Sequence, residues 1–134
     1  MEHALMWSGA KEAKHVMAQY FIGDGWSVSQ EQAADHRVDL IVSRGQSAFA
    51  VELKSAPEGR RDRLVPLLAQ ALLQAQAGAR RLGPVVKPLA VVAAPRVSEV
   101  VLRELQQFAE AYAPEAAIGV FDHEGLRWFS HEAL

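Results

Sequence analysis

Between two segments of helical period lies a stretch, Val85 to Ala94, whose second half carries no polar side chain. A strand of that composition has no face for solvent, so it must be covered on both sides, inside a sheet. The helix before it is marked by Leu64, Leu67, Leu68, Ala71, Leu72 and Ala75 on one stripe and is stopped by Gly83-Pro84, and Pro66 fits only its first turn. The helix after it is capped by Ser98 and runs to about Ala113, with Val101, Leu102, Leu105, Phe108 and Ala109 inward and Pro114 just beyond.

The first half of the chain asks for antiparallel pairing instead. Val38 to Val42 is a short β-branched run, Gly45 marks a tight turn, and Ser47 to Lys54 is extended again, a hairpin closed by Pro57 and Gly59. Ahead of it, Ala13, Val16, Met17, Tyr20 and Phe21 mark a helix from about Ser8 to Phe21, ended by Gly23 and Gly25, and Trp26 to Ser29 has room for a short strand. A last pair, Ala117 to Asp122 and Leu126 to Phe129, flanks a turn at Glu124-Gly125. The expected order is αββ(β)αβαβ(β), an α/β fold with a mixed central sheet flanked by helices. With no repeat, low-complexity tract or linker, residues 1–134 read as a single domain.

Composition narrows the chemistry. Half of the 134 residues are hydrophobic and 22% are charged, which excludes a disordered chain, and no apolar run approaches the ~20 residues of a membrane span. Met1 is followed by Glu2 and His3 rather than by a basic and then apolar signal, so the expectation is a cytoplasmic protein without a membrane partner. There is no cysteine, so any metal must be held by carboxylates, histidines and carbonyls. The net charge of -2 conceals a basic middle: residues 54–103 carry 9 basic and 3 acidic side chains, and Arg60, Arg61 and Arg63 form a candidate phosphate-facing patch in the loop that leads from the hairpin into the next helix.

The chemistry centres on Asp39 and, thirteen residues on, Glu52-Leu53-Lys54. Side chains alternate across a strand, so Ala48, Ala50, Glu52 and Lys54 share one face while Phe49, Val51 and Leu53 face the core. Hairpin pairing brings Asp39 beside Glu52. Two carboxylates forced together raise each other's pKa unless a cation sits between them, which is the signature of a site for Mg2+ (or Mn2+) with the remaining positions left to water, a backbone carbonyl and phosphate. Lys54 is placed to act on an attacking water or on charge growing at a phosphoryl oxygen. The competing reading is a plain ion pair between Glu52 and Lys54.

Asp39, the thirteen-residue gap, Glu52-x-Lys54 on a hydrophobic strand and a preceding helix bearing Glu12 resemble the PD-(D/E)xK nuclease superfamily, the restriction-endonuclease-like fold with an αβββαβ core. Val38 stands where that pattern has proline. The resemblance, over about residues 9 to 122, implies a metal-dependent DNA endonuclease acting in recombination, excision or defence, with Glu12, Asp39 and Glu52 as metal ligands and Lys54 and Gln70 as catalytic residues. Gln70 and Gln74 resemble the Gln-x-x-x-Tyr helix motif of some subfamilies, without its tyrosine. Gly9 to Glu12 with the Asp, Glu and Lys set is also similar to the archaeal-type Holliday junction resolvases. Asp24-Gly25-Trp26, the Val-Glu-Leu-Lys-Ser strand and the Leu-Ala-Gln helix look like the XisH-type excision-controlling proteins.

The alternative is a non-catalytic nuclease-fold module that binds DNA or a protein within a larger complex. A lone core of this size leaves little surface for recognition, so a homodimer or a partner protein is expected. His123 and His131 lack a third ligand for zinc, Ser8 and Ser98 have no nucleophile context, His36 reads as a turn residue, and Trp7, Trp26 and Trp128 read as packing.

Overall fold

The computed structural model of the chain describes residues 10–29 and 38–128. Its elements are α1 (Ala10–Gly23), β1 (Ser27–Ser29), β2 (Leu40–Arg44), β3 (Ser47–Ser55), α2 (Arg61–Leu82), β4 (Val86–Ala93), α3 (Glu99–Tyr112), β5 (Ala117–Asp122) and β6 (Gly125–Trp128). One six-stranded sheet runs in chain order from β1 to β6. β3, β4 and β5 are parallel, as the two helical crossovers require, and every other neighbour is antiparallel. The expected α/β fold with a mixed sheet flanked by helices is therefore present, and the short segment after Trp26 supplies the strand that completes an αβββαβ order. Ser8, Trp7, His36, Phe129 and His131 lie outside the described residues. Among those described, no helix is long and apolar enough to cross a membrane.

Both faces of the sheet are covered. On one, Ala13, Met17 and Phe21 of α1 pack on Phe49, Val51 and Leu53 of β3 and on Leu89, Val91 and Ala93 of β4. On the other, Leu64, Leu68 and Leu72 of α2 and Leu105 and Ala109 of α3 pack on Ala90, Val92, Ile118 and Val120. β4 thus has no solvent face from Leu89 to Ala93, the apolar part whose composition demands cover on both sides. β3 is also buried on both faces from Phe49 to Leu53, because α2 covers the side that strand alternation left open above the alanines.

Two prolines stand where regular structure resists them. α2 begins at Arg61, before the Leu64 stripe, so Pro66 falls in the second turn rather than the first and deletes the backbone bond to the carbonyl of Asp62. Its exposed position limits that loss to the missing bond. Pro88 sits in β4 opposite Ala50, but β5 joins β4 only from Leu89 onward, so the missing N–H lies where the strand is still an edge.

α2 passes closely over the entrance to β2. A Cβ placed on Gly78 would stand 2.2 Å from Val38 Cγ1, and Val38 is buried with Ala50 and Ala79. Gly78→Ala gains about 1 kcal/mol of helix propensity but overpacks a stiff β-branched neighbour at a cost of about 1–3 kcal/mol. We expect a net loss in urea denaturation of about 1 kcal/mol, recovered in the double variant with Val38→Ala. A Gly78→Ala protein more stable than the parent would show that the approach to Val38 does not constrain α2.

Candidate active site

The site exists because β3 runs on where β2 has not yet begun. The first registered pair of the hairpin is Leu40 with Val51, so one step further sets Asp39 opposite Glu52, as the spacing in the sequence implies. Beyond Val51 the edge of β3 that faces β2 has no strand to pair with among the described residues. The Leu53 N–H, left open there, donates to Asp39 Oδ2 at 2.8 Å, so the side chain stands in for the missing strand. The N–H and C=O of one residue point the same way from an extended strand, which turns the Leu53 carbonyl toward the same opening.

Glu52 is only 7% exposed, and among the described residues the other buried polar or charged side chain is Asp122. Lys54 shares its face by alternation and holds Nζ 3.6 Å from Glu52 Oε2. Burial and, next, the negative charge of Asp39 push the Glu52 carboxyl up to about 7, against the opposing pull of Lys54 and of a hydrogen bond from the Asp39 backbone amide. Withdrawal from water contributes most, the second carboxylate adds to it, and the lysine offsets the rise only in part.

The fourth charge at the site was not anticipated. Lys14 of α1 stands with Nζ 3.9 Å from Asp39 Oδ1. Its sequence signal is its position next to buried Ala13, at the margin of the α1 stripe, with a stem long enough to reach past the sheet edge. Glu12 occupies a different direction. Two residues turn an α-helix by about 200°, so an α1 that aims Lys14 at Asp39 aims Glu12 away. Glu12 is exposed, and among the described residues no three acidic or histidine side chains come together as a metal-holding group. The three-carboxylate set of Glu12, Asp39 and Glu52 is therefore not assembled here.

Gln70 and Gln74 are exposed on α2. They precede Gly78 by two turns and one turn, so they share the flank that Gly78 turns toward Val38 and the start of β2, without a hydrogen bond to the carboxylates. Of the arginines expected in the loop before α2, only Arg60 precedes the helix, as its N-cap, while Arg61 and Arg63 lie in its first turn, and two of the three are engaged. Arg60 bonds Asp62 and Glu58, and Arg61 lies 3.6 Å from Glu104. Arg63 is exposed with no ion pair among the described residues. Elsewhere, Ser98 caps α3 by accepting from Val101 N–H, His123 Nδ1 lies 3.1 Å from the Pro95 carbonyl, and Trp26 packs edge-on against Phe21 and Phe49 under the Arg44 guanidinium.

The raised Glu52 carboxyl makes stability depend on pH in a defined direction. Below pH 4.5 the group is neutral in folded and unfolded chains alike and contributes nothing; between 4.5 and about 7 the unfolded chain ionises first, so stability falls as pH rises and stays low above 7. The full effect is on the order of 3 kcal/mol. In chelator-containing buffer, Glu52→Gln should remove most of this fall, so that its stability relative to the parent increases between pH 5 and pH 8. Parallel pH profiles for the two proteins by chemical denaturation would place Glu52 in water.

No protein-family model and no curated protein matches the chain. Among solved structures, the chain is similar to the 1.60 Å crystal structure of an FdxN element excision controlling factor protein from Anabaena variabilis, with 17% sequence identity and a TM-score of 0.51, over 87% of this chain and 98% of that one. At that identity the likeness is one of fold. It places the mixed sheet with its flanking helices in the same architecture as a protein of the excision-controlling kind.

Proposed function

We propose that the chain is a divalent-metal-dependent nuclease that holds Mg2+ or Mn2+ on Asp39 and Glu52 and hydrolyses DNA phosphodiester bonds. The observation that carries this is Glu52 itself, a carboxylate almost withdrawn from water beside a second carboxylate, which a strand serving only the core has no reason to keep. The donor set suits a hard cation: two carboxylates and the Leu53 carbonyl at one opening. When bound there, the ion supplies a polarised phosphate and a more acidic water.

The chain's own groups do the rest. Asp39 and Glu52 bind the ion, with Asp39 oriented by the Leu53 amide. Lys54 orients the attacking water or neutralises charge on the phosphoryl oxygen. Gln70, on the flank of α2, contacts substrate, and Arg63 meets the DNA backbone with weaker help from Arg60 and Arg61, whose guanidiniums are already shared with carboxylates. Action as a homodimer or with a partner protein belongs to this reading, as does a role in excision, which rests on the name of the structural neighbour.

One observation favours the second reading, a nuclease-fold module that binds DNA or protein without cutting. Each carboxylate has a lysine, and Asp39 already serves a backbone amide, so the cluster is balanced without a metal.

Metal linkage separates the two. A ligand at a hundred times its Kd stabilises a fold by about 2.7 kcal/mol, so millimolar Mn2+ should raise the melting temperature by several degrees, an effect abolished in Asp39→Asn together with cleavage. Lys54→Ala should keep the metal-induced rise while losing about 100-fold or more in cleavage. No rise and no cleavage, with DNA binding retained, would establish the module instead. Arg63→Ala should lower the salt slope of DNA binding by about 0.9 and Arg60→Ala by less. Equal slopes would remove Arg63 from the interface.

A further inference from the structure

The two oxygens of Asp39 are used differently. Oδ2 accepts the Leu53 amide at 2.8 Å, a committed hydrogen bond, while Oδ1 faces Lys14 Nζ at 3.9 Å, beyond hydrogen-bond distance. Lys14 is thus held by charge alone, on a flexible stem, and the pair is open to water with side chains 31% and 27% exposed. The other lysine differs in origin and depth, since Lys54 comes from β3 and lies against a Glu52 side chain only 10% exposed. A cation arriving at Asp39 finds Oδ1 as the available oxygen, and Lys14 is already there.

We infer that Lys14 is a displaceable counter-ion: it sits on Asp39 Oδ1 before metal binds, competes with the divalent cation for that oxygen, and on displacement swings outward as a positioning residue for substrate phosphate. The inference rests on the reading of Asp39 and Glu52 as metal ligands. Its physical basis is charge balance. Two carboxylates and two ammonium groups sum to zero, so an entering divalent cation with Lys14 still in place would leave an excess of two positive charges, which repulsion between the ion and Lys14 makes unfavourable and an incoming phosphate relieves. Arginine in its place would grip the carboxylate with two donors and be harder to displace.

The test is Mn2+ titration by calorimetry on the metal-free full chain, comparing the parent with Lys14→Met, Lys14→Arg and, as a remote charge control at the far end of α2, Arg80→Met. Lys14→Met should bind Mn2+ about three to ten times more tightly at low ionic strength, with the gap closing in ~0.5 M salt because the pair is partly exposed. Lys14→Arg should not tighten binding, and Arg80→Met should match the parent. In the unmutated protein, acylation of the Lys14 amine followed by mass spectrometry should rise on adding Mn2+ while exposed Lys87 stays constant, a readout that survives if Lys14→Met fails to fold. Mn2+ binding by Lys14→Met alone would also support the inference. Equal affinities with unchanged labelling would overturn it and leave the metal site standing. Failure of every variant to bind Mn2+ would overturn both.

Discussion

The Leu53 amide is the point on which the site turns. β3 continues to Ser55, whereas β2 first registers at Leu40 opposite Val51, so the amide emerges on an edge with no strand beside it. A buried donor left open costs about 1–3 kcal/mol, and Asp39 removes that cost with its side chain. The same bond fixes the Asp39 carboxylate next to Glu52. Had β2 begun two residues earlier, the ladder would have taken the amide, and nothing would hold the second carboxylate in place. Placement of the carboxylate and strand termination are one device here, which is why removing the Asp39 side chain also exposes a backbone group.

Packing around this device comes from α2 and the loops at its end of the sheet. Gly78 lets the helix lie on Val38, the residue before Asp39, so the entrance of β2 is clamped from one face. The loop after β3 first extends the parallel ladder, with the Ala56 N–H donating to the Ala93 carbonyl at 2.9 Å. It then meets the loop after β4 so closely that a Cβ on Gly59 would lie 1.9 Å from the Arg96 carbonyl oxygen. Backbone cannot yield as a flexible side chain can, so this contact leaves no room for a side chain at Gly59. A glycine near each end of α2 thus sits at a close approach, Gly59 to the loop after β4 and Gly78 to Val38 beside Asp39.

Periodicity and alternation made the fold and the core of the site legible. The unbroken apolar half of β4 required two covering layers, and hairpin pairing brought Asp39 beside Glu52, which the register with Leu40 opposite Val51 bears out. What stayed hidden depends on contacts between elements distant in sequence. Lys14 meets Asp39 across twenty-five residues, and no local pattern marks it apart from any other helix lysine at the edge of an apolar stripe. The phase of α1, which decides whether Glu12 or Lys14 faces the sheet edge, follows from tertiary packing of Ala13 and Met17. Likewise the arginine cluster looked free because Glu104, the partner of Arg61, lies on α3. Pro66 misled differently, since it suggests a first turn that the acidic Asp62 and the loop contact at Gly59 place earlier.

Burial alone does not single out Glu52. Asp122 is more deeply enclosed, with no exposed surface, yet its setting is that of a structural turn: Oδ1 accepts the Glu124 N–H at 2.9 Å and Oδ2, without a hydrogen bond, lies 3.4 Å from Arg127. That arginine also reaches Glu99 and Glu124, so the carboxylate rests against a guanidinium that ties the β5–β6 turn to the start of α3. No second carboxylate crowds it among its hydrogen-bond and ion-pair partners. Glu52 has another arrangement, a single lysine at 3.6 Å and the like charge of Asp39, and its carboxyl rises to about 7 through burial first and Asp39 next, with the lysine opposing. The fold therefore carries two buried carboxylates in different settings: Glu52 at the end of β3 beside a second carboxylate, each with its own lysine, and Asp122 at the end of β5 in a staple of three carboxylates on one guanidinium. What separates them is the like charge of Asp39, which adds to burial in pushing Glu52 up, where Asp122 meets the Glu124 N–H and the Arg127 guanidinium.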